Sequence, residues 1–445
     1  MERVFHVSSY TRLLSALYLA TFLIRMSFGL ILITLPVYLI HLEASQYGLL
    51  AAAAPVAELF TVLLMGTITD RYGRKMPLLL GLMAAALSLS GIALTRDIYL
   101  LFAVNCLHGV GSGAILVSSL ALLADYVPKE HRGREIGMFD GVNLAGWGAG
   151  FLLGGVLSQA LEGHLAWTFV IAGYIAIGGF IYGRFNITEP TKRSYTIKNI
   201  SGRHILAVFK QRGIMLLIAP WLVIYVLIGA MLAFAPFSGT KEYGLAAWQV
   251  GAGLFGGCIF IMLTQRFYGA LSDRIGRTKV MAIGVTGLIG ALVLFSYLYL
   301  TTPDAEDHPG KLITSLTHNI PLMAGIGVFG MMLGAFAPAA LASLADEAHQ
   351  KRRGVTMSLY SMVIALGQII GPIIAGFAID IYGGIGMVVF LSICGALMVV
   401  FLGIRGMSHG IIQGIWEEDR HKKGESAKQA SSGAHAGKRK GKALR

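Results

Sequence analysis

The chain has 445 residues, 55% of them hydrophobic and only 13% charged, with a mean hydropathy of +0.69. A soluble globular domain carries roughly 25% charged residues, so a soluble enzyme or binding module is excluded. The formal charge of +13 does not signal nucleic acid, because residues 420–445 alone hold nine Lys/Arg against one Glu.

Apolar windows of about 20 residues recur along the chain, each able to cross a hydrocarbon core of ~30 Å. They centre near Met26, Ala57, Ala86, Gly111, Gly148, Gly173, Ile224, Ile259, Gly290, Gly330, Gly367 and Gly395. This pattern predicts an all-α membrane protein with twelve transmembrane helices. The alternating ten-residue strands of an outer-membrane barrel are absent. The amino-terminal stretch has no small-residue cleavage site and reads as a retained first span. Loops 70–75, 125–135, 184–212, 266–279 and 346–353 hold twenty Lys/Arg, whereas the alternate loops hold three, Arg96, Lys241 and Lys311. Lys/Arg excess in short loops marks the cytoplasmic side, which puts both termini there and implies a multi-pass protein of the plasma membrane.

Cys106, Cys258 and Cys394 lie inside apolar segments, without disulfide or metal spacing. No H-E-x-x-H, G-x-S-x-G or Walker-type loop appears, so no enzyme activity, metal or cofactor is expected. The basic stretch 184–212 separates two six-helix halves, 1–183 and 213–405. Residues 406–445 form a cytoplasmic tail, Lys-, Gly- and Ser-rich and expected to be disordered from about 420, with its cations drawn to anionic lipid.

The halves are copies. GTITDRYGRK at Gly66–Lys75 is echoed by GALSDRIGRTK at Gly269–Lys279, with Asp70 and Asp273 203 positions apart. Later landmarks keep an offset of 221, pairing Gly109 with Gly330, Asp125 with Asp346, Gly146 with Gly367 and Gly150 with Gly371. Parallel repeats about an axis along the membrane normal describe one large transporter architecture.

With these motifs, and with ADYVPKEHRGREIG after span four, the chain resembles the major facilitator superfamily from about residue 13 to 405. The resemblance implies two pseudo-symmetric six-helix bundles, alternating access and a monomer moving a small molecule. It also implies that Gly66, Asp70, Arg71, Gly73, Arg74, Asp125 and Arg132 form a conformational latch, with Arg74 pairing to Asp125. By symmetry Gly269, Asp273, Arg277 and Asp346 form a second. Positive-inside topology and a tight turn are the plainer reading of the same residues.

Arg25 in span one and Glu58 in span two stand near the centres of their helices, where a charge costs at least ~2.5 kcal/mol. They are expected to face the interior, close enough to couple. The pair is either structural or a proton- or substrate-coupling site. His108 is the one histidine in mid-span, either packed or a proton relay. Asn105 stands where many proton-coupled exporters of the superfamily carry arginine, which puts the usual coupling residue in doubt.

Span five carries Gly137, Gly146, Gly150, Gly154 and Gly155, close to the antiporter-associated glycine pattern except that Phe151 replaces its proline. Span eleven has Gly367, Gly371 and Pro372. Small residues at such spacings allow close helix packing; the resemblance adds an interface favouring exchange. Tyr225, Tyr360 and Gln368, with Trp221, are cavity candidates or lipid-interface residues. The function expected is secondary active transport of a small organic solute, in the form of proton-coupled efflux of a drug or metabolite. The alternatives are an importer or uniporter of a sugar, carboxylate or other metabolite, and, more remotely, a non-transporting receptor.

Overall fold

The computed structural model describes the backbone of residues 2–127, 132–189, 212–241, 244–301, 318–347, 362–401 and 403–404. Tyr360, the linker beyond residue 189 and the tail from 405 lie outside them. So do the side chains of Asp70, Arg132 and Asp346, and the surroundings of Gly66.

The described residues are helical, with no strand among them. The first half holds α1 (Glu2–Tyr38), α2 (Ala44–Tyr72), α3 (Lys75–Ile92), α4 (Ile98–Tyr126), α5 (Arg132–Ala160) and α6 (Ala166–Asn186). The second holds α7 (Arg212–Lys241), α8 (Ala247–Ile275), α9 (Arg277–Thr301), α10 (Ile320–Leu333), α11 (Phe336–Glu347) and α12 (Met362–Phe401). A helix that satisfies every backbone group internally is what a bilayer demands.

Helix and span numbers differ in two places. The tenth span, Ile320–Ala340, is shared by α10 and α11 across a short turn at Gly334 and Ala335. Conversely, α12 has 40 residues; straight, it would run about 60 Å, twice the hydrocarbon thickness. It is not straight. Gly383 sits at φ 62° and Gly386 abuts the Ala378 carbonyl, whereas residues eight apart in a straight helix are about 12 Å apart. The chain therefore reverses at Gly383, and α12 supplies spans eleven and twelve.

Within the first half α1 packs on α5 and α6, α2 on α4, and α3 on α4 and α6. In the second, α9 packs on α10 and α11, and α7 meets α12. Lipid tails give apolar helices no reason to associate, so close backbone approach does that work. Gly146, Gly150 and Gly154 of α5 lie against the backbone of α1 between Phe22 and Leu30, and Gly367 and Gly371 lie against α7 between Tyr225 and Ala230.

Two seams join the halves. Gly155 of α5 meets Ala247 and Trp248 of α8, and Phe151 meets Gly251. Gly48 of α2 meets Pro372, and Ala44 meets Gly376 of α12. Tyr47 of α2 stacks on Phe237 of α7, 4.9 Å between ring centroids. All these contacts lie on the face opposite the Lys/Arg-rich loops. Towards the basic face the glycine contacts of the α5–α8 seam thin out among the described residues. Gly148 still touches Phe255 and Cys258, but among the described residues nothing stands within 4 Å of a Cβ placed on Gly137, Gly141 or Gly269.

Candidate functional site

At 1.5 Å per residue, Arg25 lies about 20 Å along α1 from its sealed-face end, and Glu58 lies about as far along α2. The two are at one depth. Both are half-buried, and each is within electrostatic reach of the other. They do not form a direct ion pair. The Arg25 Nε instead donates to Asn143 Oδ1 of α5 at 2.8 Å. Asn143 in turn donates its amide to the Phe139 carbonyl at 2.9 Å, which turns its oxygen to Arg25. The missing side chain of Gly146 makes this reach possible, since a Cβ there would sit 2.8 Å from the Arg25 Cβ.

Around the guanidinium are Phe28, 5.6 Å from its ring centroid, and Trp147 at 6.0 Å. Such aromatic faces favour a cation by about 0.5–2 kcal/mol. His108 packs on Phe28 at 4.0 Å and lies within electrostatic reach of Arg25. Ser112 of α4 lies beside the Glu58 carboxylate. Asp140, one turn from Asn143 on α5, also acts on Arg25 through space. One cation is therefore within electrostatic reach of two carboxylates, with an aromatic lining and a neighbouring imidazole, and four helices of the first half build the group.

The other candidates are placed differently. The amide of Asn105 donates to the Leu101 carbonyl of its own helix at 3.0 Å and is buried. Tyr225 stacks on buried Trp221 at 5.6 Å, inside the second half rather than at a lipid interface. Gln368 and Pro372 border Gly229 at the α7–α12 contact.

At the basic face, Arg74 Nε meets Asp125 Oδ2 at 3.2 Å, with side chains 1% and 0% exposed. Both partners belong to the first half. Gly73, at φ 96°, turns the chain between α2 and α3, and a Cβ there would strike the Glu189 carboxylate. Glu189 accepts from the backbone N–H groups of Arg74 (2.8 Å) and Lys75 (2.7 Å), where the helix dipole favours an anion. The second copy also has partners inside its own motif. Arg277 pairs with Asp273 at 2.5 Å and donates to Ser272 at 2.6 Å, both within its own motif.

Asp140, Asn143, Ser112, Trp147 and Glu189 are missing from the sequence-level candidates. Asp140 had a usable signal, a carboxylate near the start of an apolar window. The other four gave none, being ordinary residues until α5 is laid beside α1 or Glu189 beside α3.

The described residues form membrane-length helices in two halves, with a charged cluster inside the first, an architecture found in membrane transporters. The chain belongs to the Major Facilitator Superfamily, whose sequence profile matches residues 17–305 and 261–440. It is 24% identical over 398 residues to the quinolone resistance protein NorA of Staphylococcus aureus (strain COL), covering 86% of this chain and 95% of that protein. It is also 24% identical over 370 residues to the human chromaffin granule amine transporter, covering 81% and 64%. In fold it is similar to the nucleoside transporter NupG (TM-score 0.69, 15% identity, 88% and 98% covered). A bacterial homologue of the human lysosomal transporter Spinster is similar too (TM-score 0.70, 15% identity, 87% and 96% covered). The protein is a multi-pass membrane transporter for a small molecule, not an enzyme.

Proposed function

We propose that the protein exports a small amphipathic organic solute in exchange for protons, by rocking of the halves 1–183 and 213–405 about the Arg25–Glu58 cluster. The observation that carries this reading is the cluster itself. Two carboxylates, Glu58 and Asp140, act through space on one guanidinium, so the ionised group has one negative charge in excess. A proton or a cationic solute group balances it, and competition between the two for one carboxylate is the simplest exchange mechanism. Relatives named for quinolone resistance and amine transport support a drug- or amine-like cargo. The positive-inside distribution supports a cytoplasmic placement of the basic face, and the seam on the opposite face supports reading this state as open to the cytoplasm.

The test is accumulation of a fluorescent quinolone in inside-out and right-side-out vesicles, with and without a pH gradient. Export predicts concentrative uptake into inside-out vesicles that an uncoupler abolishes. Concentrative flux untouched by the uncoupler rejects proton coupling, and flux only down the solute gradient makes the protein a uniporter.

A further inference from the structure

The seal opposite the basic loops contains one polar device that crosses between the halves. Asp380 of α12, near the end of span eleven, accepts hydrogen bonds from the backbone N–H groups of Ala44 (2.9 Å) and Ser45 (2.8 Å). These are the first two residues of α2, so a carboxylate of the second half caps a helix of the first. Beside it, Lys241 at the end of α7 donates to the Leu42 carbonyl at 2.9 Å, its ammonium over the Phe237 ring at 4.8 Å. An anion placed on free N–H groups at a helix start and a cation placed on a nearby carbonyl both match the local dipoles.

The repeated fold does not require this device. The residue related to Asp380 by the 221-position repeat is Gln159 of α5, which is exposed. Both helix starts carry the same local cap, Gln46 accepting from the Glu43 N–H at 3.4 Å on α2 and Gln249 from the Ala246 N–H at 3.0 Å on α8, so Asp380 is an addition on α2. The two seams share their glycine contacts, but Asp380 and Lys241 belong to one alone.

We propose that Asp380 and Lys241 form a latch on the outer face that holds the cytoplasm-open state and must release α2 before the outer side can open. The latch rests on the alternating-access reading above. It makes α2 a lever gripped at both ends, by Asp380 and Lys241 at its outer start and by the Asp70 motif at its cytoplasmic end. Neither residue touches the Arg25 cluster, so the device sets the balance of states without altering cargo contacts.

The experiment uses the full-length protein in lipid nanodiscs with Cys106, Cys258 and Cys394 replaced. Spin labels at Ile40→Cys and Ile385→Cys report the outer side, and labels at Tyr72→Cys and Ile275→Cys report the cytoplasmic side. Asp380→Ala and Lys241→Ala should each raise the ratio of long to short outer distances by roughly three- to tenfold, the scale of a lost cap. Asp380→Asn, which keeps an acceptor oxygen, should shift it less. Quinolone binding should persist in all three. Outer distances unchanged in the variants, while the wild type exchanges between two outer and two cytoplasmic distances, overturn the latch alone. A single distance at both sides in every sample overturns the latch and alternating access together.

Discussion

Arg25 is the residue on which the site turns, and its neighbours show why one charge near the bilayer centre is tolerated. Asn143 fixes the guanidinium, Phe28 and Trp147 flank it, and Glu58 and Asp140 supply opposing charge at a distance. Removing one partner leaves the other uncompensated, at a cost on the order of 2.5–3.5 kcal/mol at this depth. Arg25→Ala and Glu58→Ala should therefore each lower the initial transport rate by roughly tenfold or more, while the double replacement should cost less than the two together. A double-mutant cycle in vesicles measures this, and additive losses would show that the residues act independently. The positions of Arg25 and Glu58 were legible from hydropathy alone, because a charge inside an apolar window stands out. The mediator, Asn143, was not. An asparagine among glycines acquires meaning only when α5 is laid against α1.

Among the elements, α5 is the clearest case of one motif doing two jobs. Gly146, Gly150 and Gly154 bring it against α1 within the half, whereas Gly155 brings it against α8 of the other half. Phe151, standing where the pattern has proline, packs across that same seam. A Cβ at Gly150 would enter the Met26 carbonyl, a backbone group that cannot step aside, while Gly137 faces open space among the described residues. Gly150→Ala is accordingly expected to destabilise by about 1–3 kcal/mol and Gly137→Ala to have little effect. Thermal unfolding of the two variants in the same detergent checks the contrast; equal midpoints would mean that α1 and α5 do not pack this closely. The glycine spacing signalled close packing in advance. It did not indicate which neighbour each glycine meets.

For the whole molecule, the first motif copy is fixed by contacts beyond its own turn. Arg74 is buried against Asp125, and Glu189 caps α3 beside it, so the first residues after α6 are tied to the motif. In the second copy Arg277 pairs with Asp273 of the same turn. Asp70, whose role in joining the cytoplasmic ends is a proposal from the motif, offers a direct test. Asp70→Asn should slow turnover while leaving expression and quinolone binding near wild-type levels. Normal turnover in that variant would remove Asp70 from the latch and leave it a topological charge.

By itself the sequence determined the membrane class, the number and order of spans, the repeat and the superfamily. Each follows from a one-dimensional quantity: the length of an apolar run set against bilayer thickness, the spacing of motifs, the placement of Lys and Arg. Only the tertiary structure decided that the halves seal opposite the basic loops, that Arg25 is held by Asn143 rather than by Glu58, and that Asp380 caps a helix in the other half. Ala44 and Asp380 are 336 residues apart, and no local pattern can record a contact made only when two separately wound bundles meet. Apolar burial in lipid is legible residue by residue, whereas polar pairing across a seam depends on the geometry of both bundles at once.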